Sequence, residues 1–188
     1  MRGTRDATRE KILTAAYTLF YRRGFARVGV DEVAAAAGVT KRTLYDHLRS
    51  KDDLLEAVMQ RQSDLALVRL RAWGLRETAS AADLVEALFD ELARWSRKPR
   101  WEGPGFTRLV MELADLPGHP ARKLARRHKA AAEAWLAEAL AARGAAEAKA
   151  KARQVQIVLE GCMALLLVHG ERDYLEAGKQ AALAVVGR

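Results

Sequence analysis

Apolar residues in this chain recur three and four positions apart almost from end to end, and hardly anywhere at every second position. A half-buried strand needs the period of two and a helix the period near 3.6, so the pattern confines the chain to an all-α fold. Glycine, proline and short polar side chains supply the punctuation. "TREKILTAAYTLFYRRG" opens on Thr8, a natural N-cap, sets Ile12, Ala16, Leu19 and Phe20 on one face, and stops at Gly24. "VDEVAAAAG" predicts a short helix between Gly29, its cap, and Gly38, with Asp31 and Glu32 in the turn where the helix dipole favours acids. Thr40 can cap "TKRTLYDHL". Ser50 and Asp53 resemble a capping box that launches a long helix through Leu75. Downstream, "ETASAAD", "PRWEGPG", "PGHP", Gly144 and Gly170 separate five further helical segments, for a total of about nine. No repeat of solenoid period is present.

The short third helix poses the functional question. "TKRTLYDH" carries only Leu44 and Tyr45 as large apolar side chains, far fewer than a helix needs to bury itself on a core. Two short helices joined by a glycine-containing turn describe a helix-turn-helix. Ala34 is small enough for close approach, Gly38 permits a positive φ, and Val33, Ala37, Val39 and Leu44 point inward against Ile12, Leu19 and Phe20. Thr40, Lys41, Arg42, Thr43, Tyr45 and His47 are left outside, and all can donate hydrogen bonds. An α-helix fits the major groove, where such donors meet base acceptors and phosphates, so this face suits DNA.

Charge agrees. The formal net charge is +8, and residues 1–51 hold 11 Lys/Arg against 5 Asp/Glu, a net of +6, while 52–188 hold 21 against 19, a net of +2. The basic excess sits in the first quarter, as a polyanion partner requires. At 188 residues and 50% hydrophobic content the chain can bury a real core. Its single cysteine, Cys162, excludes an intrachain disulfide and fits a reducing compartment. The charged start "MRGTRDATREK" does not read as a signal peptide. The apolar run Val155–Val168 is broken by Gln156 and Glu160, short of the roughly 20 residues a membrane span needs. A soluble cytoplasmic protein without a membrane partner is expected.

On "TREKILTAAYTLFYRRGF" and "VDEVAAAAGVTKRTLYDHLRSKDDLLEAV", which cover most of residues 8–58, the chain resembles the tetracycline-repressor (TetR) family of bacterial transcription regulators. The resemblance implies a helix-turn-helix DNA-binding domain over residues 6–66, with its motif at 29–48, and a larger helical domain over 67–188 for effector binding and dimerisation. It implies a homodimer on a palindromic double-stranded operator, released by a small molecule. Lys41, Arg42 and Thr43 then lie where family members contact bases or adjacent phosphates, Tyr45 and His47 where they contact the backbone, and Lys51 where a lysine binds phosphate. The chain departs from the pattern at three positions. Gly29 replaces a hydroxyl residue, so only its backbone amide can reach a phosphate. Asp46 stands where an aromatic residue or histidine is frequent, and is expected to turn aside or to pair with Arg49 or a lysine. Leu48 replaces phenylalanine, an apolar exchange that preserves packing.

Other chemistry finds little support. His119, His128 and His169 share no ligand spacing, so no metal site, cofactor or catalytic set is expected, and the chain does not read as an enzyme. "ARKLARRHK" reads more simply as a solvated face than as a second nucleic-acid patch. Glu160 reads more simply as a carboxylate bonded to a neighbouring helix than as a ligand anchor. Phe89, Trp95, Phe106, Met111, Trp135, Cys162, Met163 and Leu166 are the expected lining of an apolar effector pocket, with Glu160 or His169 as its polar point. The last two helices are expected to form the dimer interface, Ala177, Gly178, Ala181 and Ala182 allowing close approach. The rival reading is a helical small-molecule carrier whose basic N-terminal face is incidental.

Overall fold

The computed structural model describes residues 2–74, 79–99, 101–116 and 118–187, with side chains described from residue 5 and not for 73–74. These residues form nine α-helices and no strand: α1 (Arg2–Arg23), α2 (Val30–Ala37), α3 (Lys41–His47), α4 (Lys51–Gly74), α5 (Ala81–Trp95), α6 (Gly105–Glu112), α7 (Pro120–Ala141), α8 (Ala148–His169) and α9 (Asp173–Val186). The expected caps at Thr40 and Ser50 are present, their hydroxyls accepting from the amides of Thr43 and Asp53 at 3.1 and 3.0 Å. Two boundaries differ. The first helix begins at Arg2, so Thr8 lies within it rather than at its N-cap. The expected end of α4 at Leu75 lies outside the described residues.

The helices group into two compact units. The first comprises Met1–Asp64 and Gly105–Arg126, the second Leu65–Pro104 and Arg127–Arg188. A single cut at residue 66 is therefore replaced by an excursion: residues 105–126 return to the N-terminal helices. Packing gives the reason. Leu113, Ala121, Leu124 and Ala125 are buried in one cluster with Ile12, Leu13, Val33, Leu44 and Leu54. Polar contacts add direction. The Glu112 carboxylate accepts from the amides of Phe25 and Ala26 at 3.0 and 2.7 Å, holding the turn that follows α1. One helical turn earlier on α6, Arg108 donates to the Tyr21 carbonyl at 3.0 Å and lies over the Tyr21 ring. Neither partner could be paired from sequence across such a distance.

The second unit is built on α5, α8 and α9, with part of α7. Leu84, Val85, Leu88, Phe89 and Leu92 line one face of α5 and are buried with Leu140, Val155, Leu166, Leu175 and Leu183. At Gly178 a Cβ would collide with Cys162 Sγ and press on Phe89, so glycine is what lets α9 lie this close to α8. The helix α8 is 22 residues long, and by length and composition alone it is apolar enough to cross a membrane, although Gln156 and Glu160 interrupt its apolar run. Its charged groups point to protein packing: Arg153 pairs with Glu133, and Lys129 with Glu160, both across to α7.

Removing the Glu112 carboxylate strands two backbone donors. Glu112→Ala is expected to destabilise the fold by about 1–2 kcal/mol, a charged hydrogen bond discounted for its solvent exposure. Glu112→Gln, which keeps an acceptor oxygen, should lose less. Urea denaturation curves at constant slope measure the difference; no loss in the alanine variant would show that water replaces the carboxylate fully.

Candidate nucleic-acid interface

The turn between α2 and α3 is built by hydrogen bonds that close on themselves. Gly38 adopts φ 67°, and its amide donates to Ala35 O, while the Val39 amide donates to Ala34 O at 3.0 Å. A side chain here would meet no neighbour, so the requirement for glycine is conformational rather than steric. At the other end of α2, the Glu32 carboxylate accepts from the Gly29 amide at 3.2 Å and pairs with Arg23. Those two partners, the Gly29 amide first, hold the Glu32 carboxyl below the usual carboxylate range. The Gly29 amide, the one group that residue could offer a phosphate, is thus already bonded within the protein.

Leu44 is fully buried and Leu48 nearly so, which pins α3 by one face. Lys41, Arg42 and Tyr45 are exposed on the others, and Thr43 and His47 are half-buried. Thr40 and Thr43 also bond through their hydroxyls at 2.9 Å, so the Thr43 hydroxyl is engaged before any ligand arrives. Lys41 is paired with Asp31 of α2 at 2.9 Å, and that bond raises its pKa, keeping it charged. Both side chains are more than half exposed, so the pair is a weak one that another anion can displace. Among the described residues, Arg42 has no ion-pair partner.

Lys51 opens α4 with its ammonium 4.2 Å from the centroid of the Phe25 ring and 3.4 Å from the Ala26 carbonyl. It is therefore held beside the turn that Glu112 clamps. Of the two expectations for Asp46, pairing with Arg49 is not what the structure shows: Arg49 pairs with Asp53, one turn along, at 2.9 Å, and Arg5 reaches the Asp46 backbone carbonyl. The surface thus places Lys41, Arg42, Tyr45 and Lys51 on one small unit, with Asp31, Phe25 and Glu112 as supporting residues that sequence reasoning missed. In sequence Asp31 shows only as a helix-dipole acid, and the other two pairings join residues far apart in the chain.

The second unit holds most of the residues expected around an effector. Phe89, Cys162, Met163 and Leu166 are buried in its core, and Trp95 and Trp135 pack against it half-buried. Phe106 instead packs on the first unit's core, and Met111 is 68% exposed. Glu160 is bonded to Lys129, which is the simpler of its two expected roles. His169 lies exposed at the end of α8, its ring stacked on Tyr174 at 5.0 Å. Cys162 donates to the Tyr174 carbonyl at 3.2 Å, and burial pushes its pKa up. His128, half-buried on α7 with Lys129 beside it, is pulled down to about 4 by that burial first and by the lysine second. Two buried polar atoms lack a partner among the described residues: Nε1 of Trp101, which meets Trp95 edge-on at 5.7 Å, and Oε1 of Gln156. No cluster of His, Cys, Asp or Glu suited to a metal ion occurs among the described residues.

Residues 12–58 match the family model of bacterial regulatory proteins of the tetR family. The HTH-type transcriptional activator FasR of Mycolicibacterium smegmatis is 41% identical over 90 residues, which is 46% of this chain and only 41% of that protein. The HTH-type transcriptional regulator YjdC of Escherichia coli is 28% identical over 174 residues, 93% of this chain and 91% of that protein. Beyond the DNA-binding segment, the crystal structure of SCO4454, a TetR-family transcriptional regulator from Streptomyces coelicolor, superposes with a TM-score of 0.85 at 26% identity, covering 96% of each chain. The motif match and the whole-chain likeness agree, and the chain belongs to the TetR family of bacterial transcriptional regulators.

Proposed function

We propose that this chain is a ligand-responsive repressor that binds a palindromic duplex operator as a homodimer and carries out no catalytic step. The supporting observation is the Thr40-capped α3, anchored by Leu44, whose exposed and half-exposed side chains are nearly all hydrogen-bond donors. In this reading Arg42 takes a base edge directly. Lys41 exchanges Asp31 for a base or phosphate, and Tyr45 and His47 meet the backbone. Lys51 is the phosphate anchor. Gly29 contributes a phosphate contact only where Glu32 gives up its amide. FasR is named an activator; for this chain we take repression as the working sign, and a deletion strain tests it by whether transcripts beside the bound sites rise. The protein acts where its DNA is, in the cytoplasm.

A palindrome needs two recognition helices about 34–36 Å apart, and one chain supplies one. The partner is a second copy, joined isologously through α8 and α9. What supports this is an apolar face left in solvent: Ile157, Leu165 and Val168 are 64%, 42% and 74% exposed along one side of α8. Ala177, Ala181 and Ala184 are exposed on α9, while Gly178 and Ala182, first counted with that face, are buried inside the unit. The effector is an apolar or aromatic compound taken up in the second unit among α5, α7 and α8. Trp101 Nε1 and Gln156 Oε1 are the polar atoms still open to it. Its binding lowers operator affinity by a coupling free energy of about 1–3 kcal/mol.

Each part has its own measurement. Arg42→Ala should cost roughly 1–3 kcal/mol on a site selected from random duplexes and relax base preference, whereas Lys51→Ala should weaken all sequences and reduce the salt slope by about one. Recovery of no enriched palindrome would sink the operator reading. Ile157→Asp with Val168→Asp should convert a dimeric mass into a monomeric one at micromolar concentration and reduce operator affinity with it. A wild-type monomer would rule out the interface. An effector found by screening aromatic compounds should change tryptophan emission and release DNA over one concentration range, and Trp95→Phe with Met163→Ala should shift that range.

A further inference from the structure

The seventeen residues 116–132 contain five Lys/Arg and no Asp or Glu. Sequence alone makes this a solvated basic face. The structure changes the question by where it puts the first part of the run. Gly105–Arg126 belongs to the same compact unit as the helix-turn-helix, and its turn into α7 sits against the start of α4. The His119 ring meets Phe25 edge-on at 6.0 Å, and this is the ring that carries the Lys51 ammonium at 4.2 Å. His119 Nδ1 accepts from the Ala121 amide at 3.2 Å, which leaves Nε2 to donate toward Asp52, 3.5 Å away in the first turn of α4. One phenylalanine therefore separates the phosphate anchor from the N-terminus of α7.

The helix then sorts its charges. Ala121, Leu124 and Ala125 are buried, which turns Lys123 and Arg126 to the opposite, exposed side. Arg122 is half-buried and donates to the Ala114 carbonyl at 3.2 Å, fixing the turn before α7. Among the described residues neither Lys123 nor Arg126 has an ion-pair partner. The acids nearest in the chain on either side are Asp115, which is exposed, and Glu133, which pairs with Arg153; Glu112, the next, is bonded to the amides of Phe25 and Ala26. Lys123 and Arg126 lie about one and two turns into a helix that starts beside His119, whose ring touches the same phenylalanine as the Lys51 ammonium, so one extended polyanion can meet all three cations.

We propose that the first turns of α7, through Lys123 and Arg126, form a second phosphate-binding surface that extends the DNA contact beyond the helix-turn-helix onto the duplex outside the half-site. The proposal rests on the DNA-binding reading above and adds a contact that the motif does not contain. It carries no base specificity, because flexible cations on an exposed helix meet backbone oxygens rather than base edges.

The test is the salt dependence of binding to a labelled nonspecific duplex of about four helical turns, followed by anisotropy between about 50 and about 200 mM salt. Lys123→Gln with Arg126→Gln is expected to lower the slope of log K against log salt by about two, and Lys51→Ala by about one. Lys123→Arg should retain the wild-type slope. Arg97→Gln with Lys98→Gln, an equal loss of charge on exposed residues of the second unit, should leave it unchanged. An unchanged slope in the α7 double variant, with Lys51→Ala still effective, overturns this proposal and leaves the helix-turn-helix reading standing. An equal fall in the control double variant also overturns it, by reducing the effect to net charge. Wild-type protein that binds no duplex would overturn both readings together.

Discussion

A helix of seven residues cannot hold itself together in water, and α3 is seven residues long. Everything it presents outward depends on the burial of Leu44 and on the Thr40 cap. Leu44 fixes the rotation of the helix, so that Arg42 and Tyr45 face out whenever it faces in. Thr40 satisfies an amide at the exposed end, where no core is available to do so. The buried side chains of α1 and α2 and the first turns of α4 and α7 complete the socket. Recognition here is a by-product of packing: the polar face is only as well oriented as the apolar one is filled.

The same socket explains what could be read from residues in order. Helix type and number follow from spacing that is local, and so do Gly38, Thr40 and Ser50, because a cap acts within three or four positions of itself. The inward set of Val33, Ala37, Val39 and Leu44 was legible for the same reason. Glu112 was not, since its carboxylate answers amides more than eighty positions away and nothing in "RLVMEL" announces a capping role. The division of the chain failed to read for a related reason. Leu113, Leu124 and Ala125 have an ordinary helical period, and period reports that a face is buried without saying against what.

Charge was legible in amount and not in pairing. The net +6 of the first 51 residues follows from counting. Whether a given cation is available depends on geometry: Lys41 is engaged by Asp31, Arg23 by Glu32, Arg61 by Glu10 and Arg49 by Asp53. Such exposed pairs contribute little to stability. They do compensate individual cations locally in the unliganded protein, while the net charge stays what the composition gives. A polyanion approaching it replaces existing partners as well as water.

The contact between Gly178 and Cys162 gives the second unit a built-in chemical reporter. Cys162 is the chain's only cysteine, it is 5% exposed, and α9 covers its sulfur at the position where a larger residue would not fit. Burial also holds the thiol protonated, and the thiolate is the reactive form. A small alkylating reagent can therefore label it only during excursions in which α9 lifts from α8. The labelling rate counts those openings, one thiol per chain, without any engineered probe.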